Sequence, residues 1–321
     1  MKKILVIASA IIAFIYLSIC YYFSSRIIVP GRDVVPNRSE MSELYGWAKS
    51  VSFKTKDYLE LKGWYFDNPE EGDCGIILLH GRNNSRYGMR HWMPYFWVKG
   101  CDILMYDHRA HGESEGDYGT FGVFESEDLL LAHNLLKEKS NLTDSQIAWV
   151  GASWGAATVL QTDMSEVRPM FLLADSPYKD LHAAVMERAI RDYGNWIKAL
   201  VPTIYWMVRS RANFNPYITS TLEKVKSIEV PTLLIHSQTD QATSSDQSVA
   251  IASVMKQDIL TFHHTDWGSL HCKDVQDQPE KYGELIEDFL SANELLQPVP
   301  IDSLLEERIL PDRSVINSEF R

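Results

Sequence analysis

Positive charge is scarce in this chain: 31 Lys and Arg stand against 43 Asp and Glu, a formal charge of −12. Without a basic excess there is no electrostatic footprint for a phosphate backbone, which excludes nucleic acid as a leading partner. Cysteine is scarce too. Its four copies, Cys20, Cys74, Cys101 and Cys272, are too few for a disulfide scaffold and lack the paired CxxC spacing of a zinc site. No metal and no other cofactor is therefore expected. No internal repeat is visible either. What the chain does have is apolar and aromatic side chains, 45% and 11% of its residues, which demand a buried core.

The first charge-free stretch is long. Ile4 to Phe23 reads ILVIASAIIAFIYLSICYYF, and twenty helical residues at ~1.5 Å each span the ~30 Å hydrocarbon layer. The rival reading is a cleaved signal peptide, but Tyr21, Tyr22 and Phe23 follow the apolar run where small residues would mark a cleavage site. A membrane anchor is the preferred reading. A lipoprotein through Cys20 fails on Ile19, which stands where a small residue belongs. Lys2 and Lys3 keep the short N-terminus cytoplasmic by the positive-inside bias, so the rest of the chain is expected outside. Those two lysines are uncompensated, which leaves the remainder more acidic than −12 indicates.

Beyond the anchor (residues 1–23), residues 24–46 read as a polar connector punctuated by Pro30, Gly31 and Pro36. An opening β-hairpin around Lys56-Asp57 leads into short apolar runs: Gly75–Leu79, Asp102–Tyr106, Gln146–Val150, Met170–Ala174 and Thr232–Ile235, with a last one near Ile259–Phe262. Helix-length stretches separate them, the pattern of an α/β fold whose mostly parallel sheet is covered on both faces. One such sheet accounts for residues 47–293 as a single domain. Residues 178–214 break the rhythm: apolar residues recur at helical spacing and six basic side chains outnumber three acidic ones. This segment is read as a small helical cap insertion. Gln278–Ala292 forms an amphipathic helix, and residues 294–321, with three prolines, a loose tail. Cys74 and Cys101 each stand six residues before a strand-end landmark, His80 and Asp107. In register on neighbouring parallel strands they would form a disulfide; two buried free thiols is the equal alternative.

Gly151-Ala-Ser-Trp-Gly155 places Ser153 between an apolar strand and a helix-forming stretch, where a tight turn raises its Oγ above the sheet. Upstream, Leu78-Leu-His-Gly-Arg82 ends another strand, and Gly81 lets the backbone approach a substrate. The N–H groups of Arg82 and Trp154 are the candidate oxyanion donors. Tyr106–Ser114 is expected to brace that loop, with His108 and His111 in packing roles. A serine needs a base and an orienting carboxylate. Asp240, after the penultimate strand, and His271, between the last strand and the final helix, supply them. Asp175 and Asp246 are the rival acids, His263 and His264 the rival bases.

The order Ser153, Asp240, His271, with His80-Gly81 upstream, resembles the α/β-hydrolase superfamily, and more narrowly its membrane-anchored, serine aminopeptidase-like and esterase members. LLHG, YDHRAHGESEG, GASWG, LLIHSQTD and Trp267–Leu290 carry the likeness. It implies Ser153 as nucleophile, His271 as general base and then acid, and Asp240 as its orienter. Two residues depart from the family pattern: Ala110 and Ser237 stand where glycines are usual. The reading is a serine hydrolase acting through an acyl-enzyme on a small-molecule carboxylic ester or thioester. An amidase or aminopeptidase is the same-fold alternative, with Glu113, Glu115 and Asp117 as candidate binders of an amino group. The different-class alternative is an inactive, membrane-tethered binding module. Protein partners are not indicated.

Overall fold

The computed structural model describes residues 2–36, 48–70 and 72–296. The expected connector beyond residue 36, and the tail from 297 onward, lie outside the described residues. An eight-stranded sheet organises the chain: β1 Ala48–Lys54, β2 Glu60–Phe66, β3 Gly75–Leu79, β4 Asp102–Tyr106, β5 Ile147–Ala152, β6 Leu172–Asp175, β7 Thr232–Ser237 and β8 Leu260–Thr265. Their order is β1-β2-β4-β3-β5-β6-β7-β8. The β1–β2 and β2–β4 pairs are antiparallel and the rest are parallel.

Period-two alternation explains why the central strands are apolar throughout. Ile76 and Leu78 of β3 join one core with Phe96, Tyr282, Ile286 and Phe289, while Ile77 and Leu79 join the opposite core with Leu129, Leu136, Val159 and Ile251. The helices that supply these faces are α2 Glu125–Ser140, α3 Trp154–Gln161, α6 Asp246–Val254 and α7 Pro279–Ala292, with α4 Leu181–Tyr193 and α5 Val201–Ala212 forming the cap between β6 and β7. The cap builds a third core around Tyr178, Met186, Ile204, Tyr205 and Val208.

Gly75 pairs with Asp102, so Cys74 and Cys101 face each other one residue earlier, and they are joined as a disulfide with Cα atoms 4.6 Å apart. Closing a 27-residue separation removes unfolded-state freedom worth roughly 3–4 kcal/mol on the loop-entropy model. Cys20 and Cys272 remain free thiols.

The N-terminal helix, α1 Lys2–Ile28, is long and apolar enough to cross a bilayer. It continues past Phe23 into the segment expected as connector, and two interactions explain why. The hydroxyls of Ser24 and Ser25 donate back to the Tyr21 carbonyl, and Ile27 and Ile28 bury against the cap core.

Candidate active site

The chain turns sharply between β5 and α3. Ser153 sits at φ 54°, ψ −109°, a left-handed conformation costing a non-glycine residue ~1–3 kcal/mol. Small neighbours make the turn feasible. A Cβ on Gly151 would lie 2.4 Å from the Gly155 backbone, and one on Gly155 2.1 Å from the Leu79 carbonyl oxygen. The Ser153 hydroxyl donates to His271 Nε2 at 2.7 Å, and His271 Nδ1–H donates to Asp240 Oδ2 at 2.5 Å. Three residues from the ends of β5, β7 and β8 thus form one hydrogen-bonded chain, and that network sets the tautomer of the imidazole.

Asp240 is held on all sides. Its Oδ1 accepts from the N–H groups of Ala242 and Thr243, and its Oδ2 also accepts from His236 Nε2 at 2.9 Å. Burial opposes its ionisation, but the hydrogen bonds from His236 and His271 outweigh that and hold the carboxyl well below the usual carboxylate range. Burial likewise works against a charged His271; Cys272 and Asp240 prevail, so the imidazole keeps its proton well above the ordinary histidine range. His236 had no role in the sequence reading. Its signal was a lone imidazole inside the buried Leu233-Leu-Ile-His-Ser run, one helical turn's spacing before Asp240; Ser248 Oγ holds its other nitrogen at 2.7 Å.

Of the rival residues, Asp175 accepts from Ser176 and Tyr282 at the end of β6, and burial raises its pKa to about 6. Asp246 opens α6 on the exposed side, while His263 and His264 lie within β8. None of their side chains bonds to the Ser153–His271 pair; the Asp175 main-chain carbonyl accepts from the Ser153 N–H.

Arg82 and Trp154 flank Ser153 in one cavity. Trp154 begins α3, where the first N–H groups have no intrahelical acceptor. The direction of the Arg82 N–H is governed by His80. Its Nδ1–H donates to the Gly81 carbonyl at 2.7 Å while Nε2 accepts from His108 N–H at 3.0 Å. In a planar trans peptide, a Gly81 carbonyl turned to His80 sends the Arg82 N–H the opposite way. Burial lowers the His80 pKa to about 4, so the ring stays neutral and keeps this donor–acceptor pattern. The loop after β4 braces this turn through Arg86, whose N–H and Nη1 both donate to Asp107 at 2.7 Å.

The two departures from the family's glycines have structural counterparts. Ala110 adopts φ 63°, the conformation for which glycine is favoured, at a cost of ~1–2 kcal/mol. Ser237 Oγ donates to the Ser269 carbonyl at 2.7 Å, as does Thr239 Oγ1, tying β7 to the loop that carries His271. Glu113 and Glu115 are engaged elsewhere, with Arg86 and the Glu60 N–H, and none of Glu113, Glu115 and Asp117 lines the cavity.

That cavity, 230 Å³, has Ser153, Trp154, His271 and Arg82 at its floor and Met186, Ile197, Val201 and Ile204 of the cap above. Phe23, Arg26 and Ile27 of α1 complete its wall. The cap is fastened to the loop after Asp240 through Glu187, which accepts from Ser244 N–H and Gln247 Nε2. No cluster of side chains suited to a metal ion occurs among the described residues.

Residues 76–162 match the family model for the alpha/beta hydrolase fold. The uncharacterized protein YqkD of Bacillus subtilis is 29% identical over 187 residues, 56% of this chain and 59% of that one, so the likeness spans little more than half of that relative. The uncharacterized protein YfhR of Salmonella typhi is 24% identical, over 79% of this chain and 86% of its own. Among solved structures, the Pyrococcus furiosus esterase Pf2001 aligns with a TM-score of 0.64 at 26% identity, covering 82% of this chain and 98% of the esterase. Pyrococcus horikoshii acylaminoacyl peptidase aligns at 0.58 and 19% identity, over 81% of this chain and 44% of the peptidase. Sheet order, the turn at Ser153 and these likenesses agree: the chain has the α/β-hydrolase fold.

Proposed function

We propose that the protein is a serine hydrolase cleaving carboxylic esters or thioesters through an acyl-enzyme. The observation that carries this reading is the unbroken chain of hydrogen bonds Ser153–His271–Asp240 at the floor of an apolar cavity. In this reading Ser153 Oγ attacks the carbonyl as its proton passes to His271 Nε2, and Asp240 stabilises the imidazolium that forms. The N–H groups of Arg82 and Trp154 hold the developing oxyanion. The imidazolium then protonates the leaving alcohol or thiol, and water, activated by the same histidine, releases the acid. The esterase neighbour supports ester chemistry. The acids considered for an amino-group site stand outside the cavity, and the carboxylate that does line it, Asp192, is paired with Arg188 and Arg191.

The chain is proposed to be anchored by α1 with its hydrolase domain extracytoplasmic. Lys2 and Lys3 support that orientation, and so does the Cys74–Cys101 disulfide, which persists in oxidising compartments.

Hydrolysis rates for p-nitrophenyl esters of increasing chain length, set against aminoacyl-p-nitroanilides, test the substrate class. Esters are expected to be cleaved faster, and a preference for the anilides overturns the assignment. The base must be neutral to accept the serine proton, and Asp240 favours its charged form. Activity is therefore lost as pH falls, and the acid limb of the kcat/KM profile is expected above the pKa of about 6.5 of a free imidazole. A midpoint at or below that value contradicts the coupling of His271 to Asp240.

A further inference from the structure

The anchor and the candidate active site are not separated by a tether. Helix α5 runs alongside the second half of α1 in the same direction: Tyr16 hydrogen-bonds Thr203 at 2.8 Å, and eight residues further along Arg211 donates to the hydroxyls of Ser24 and Ser25. Arg82, beside Ser153, donates through Nη2 to the carbonyls of Arg26, Ile27 and Val29, tying the turn after β3 to the C-terminal end of α1.

This packing has a geometric consequence. The charge-free stretch of α1 runs from Ile4 to Phe23 and at ~1.5 Å per residue just spans a ~30 Å hydrocarbon layer. Only residues 4–15 precede the first hydrogen bond to the cap, at Tyr16, a length of ~18 Å. A helix that crosses the bilayer therefore carries the cap ~12 Å into the leaflet on the side of the domain.

Two tryptophans are exposed on the surface of the cap, with exposed Lys198 between them in the chain. Trp196 and Trp206 are 56% and 64% exposed, and Trp206 lies on α5 between the levels of Tyr16 and Ser24. Arg209 and Arg211 follow at the levels of Tyr22 and Ser24, shortly before α1 regains charge at Arg26, close to the expected order of an aromatic belt below a cationic headgroup layer. A groove between α1 and the cap, lined by Phe14, Ile15, Ser18, Ile19, Tyr22 and Trp196, meets the cavity of Ser153 at Phe23, which lines both.

We propose that the substrate is an acyl ester resident in the bilayer, which enters sideways along this groove, past Phe23, without passing through water. The inference rests on the serine-hydrolase reading and names its substrate class. The ester carbonyl reaches Ser153 with its acyl chain in the apolar cavity. A bond forms from Ser153 Oγ to the carbonyl carbon, the ester C–O bond breaks, and the alcohol leaves in the headgroup layer with the proton from His271. Water then cleaves the acyl-enzyme and frees the fatty acid.

The test uses the full chain in phosphatidylcholine vesicles containing phosphatidylglycerol or its lyso form. Fatty-acid release is read beside hydrolysis of p-nitrophenyl acetate supplied from water. Release of fatty acid is expected. Trp196→Glu, which puts a charge in the groove, is expected to lower lipid hydrolysis relative to p-nitrophenyl acetate hydrolysis by the same variant at least tenfold. Independently, the part of the tryptophan fluorescence that is lost in Trp206→Phe is expected to be quenched by lipids brominated on their acyl chains. Turnover of p-nitrophenyl acetate with no fatty acid released, an unchanged ratio in Trp196→Glu, or a Trp206 component untouched by brominated lipid overturns the inference and leaves the hydrolase reading standing. Absence of turnover of both substrates, with Ser153 unreactive to a fluorophosphonate, overturns the hydrolase reading itself.

Discussion

Replacing Ser153 by alanine is expected to lower kcat/KM on p-nitrophenyl butyrate by on the order of 10⁴–10⁶, and His271→Ala should fall to the same floor. The equality matters as much as the size of the loss. Ser153 Oγ and His271 Nε2 share one proton across 2.7 Å, so either deletion removes the same step. Ser153→Ala also relieves no fold constraint of its own, because the turn is held by the Ser153 N–H to the Asp175 carbonyl at 2.7 Å, which alanine retains. Circular dichroism on both variants separates lost chemistry from lost structure. His263→Ala and His264→Ala are expected to keep their activity. Loss in either of them, with His271→Ala active, would move the base to β8.

Asp240→Asn is the second large effect, a fall of about 10⁴ in kcat. Four donors converge on this carboxylate: two main-chain N–H groups on Oδ1, and the two imidazoles of His236 and His271 on Oδ2. An amide cannot serve all four. If its oxygen takes the main-chain donors, its NH₂ faces the N–H groups of both histidines; flipped, it faces the two main-chain N–H groups. The first orientation drives His271 into the tautomer with its proton on Nε2, which no longer accepts from Ser153. The variant should also lose the carboxylate that raises the His271 pKa, so its residual activity is expected to titrate at lower pH. Near-native kcat in Asp240→Asn would show that the carboxylate does not orient the base.

How much of this was legible in the sequence follows from how local each feature is. The central strands are buried on both faces, so their apolar runs stand out, and the equal offsets of Cys74 from His80 and of Cys101 from Asp107 encode the parallel register that joins the cysteines. Ser153, Asp240 and His271 could be picked out because each follows a strand end, where a parallel sheet presents loops on one edge. His236 could not, since its partnership with Asp240 depends on the loop folding back through Thr243 and Ser248. The end of α1 was also set by tertiary contacts. Ser24 and Ser25 look like a break in an apolar run, yet Arg211 and the cap core keep the helix going to Ile28. For the same reason the docking of α1 on the cap left no trace in the pattern: a helix apolar on every side has no stripe to mark which face meets protein. Glu113 and Glu115 show the converse, a visible acidic run whose members turn out to be tied to Arg86 and β2.

Covalent capture shows whether Ser153 is an activated nucleophile. The intact chain is treated with a fluorophosphonate, which phosphonylates only an activated serine, and the modified peptide is located by mass spectrometry. A single adduct on Ser153 is expected, absent in Ser153→Ala and strongly slowed in His271→Ala. A folded wild-type protein that takes up no probe, or one labelled at another serine, would contradict it.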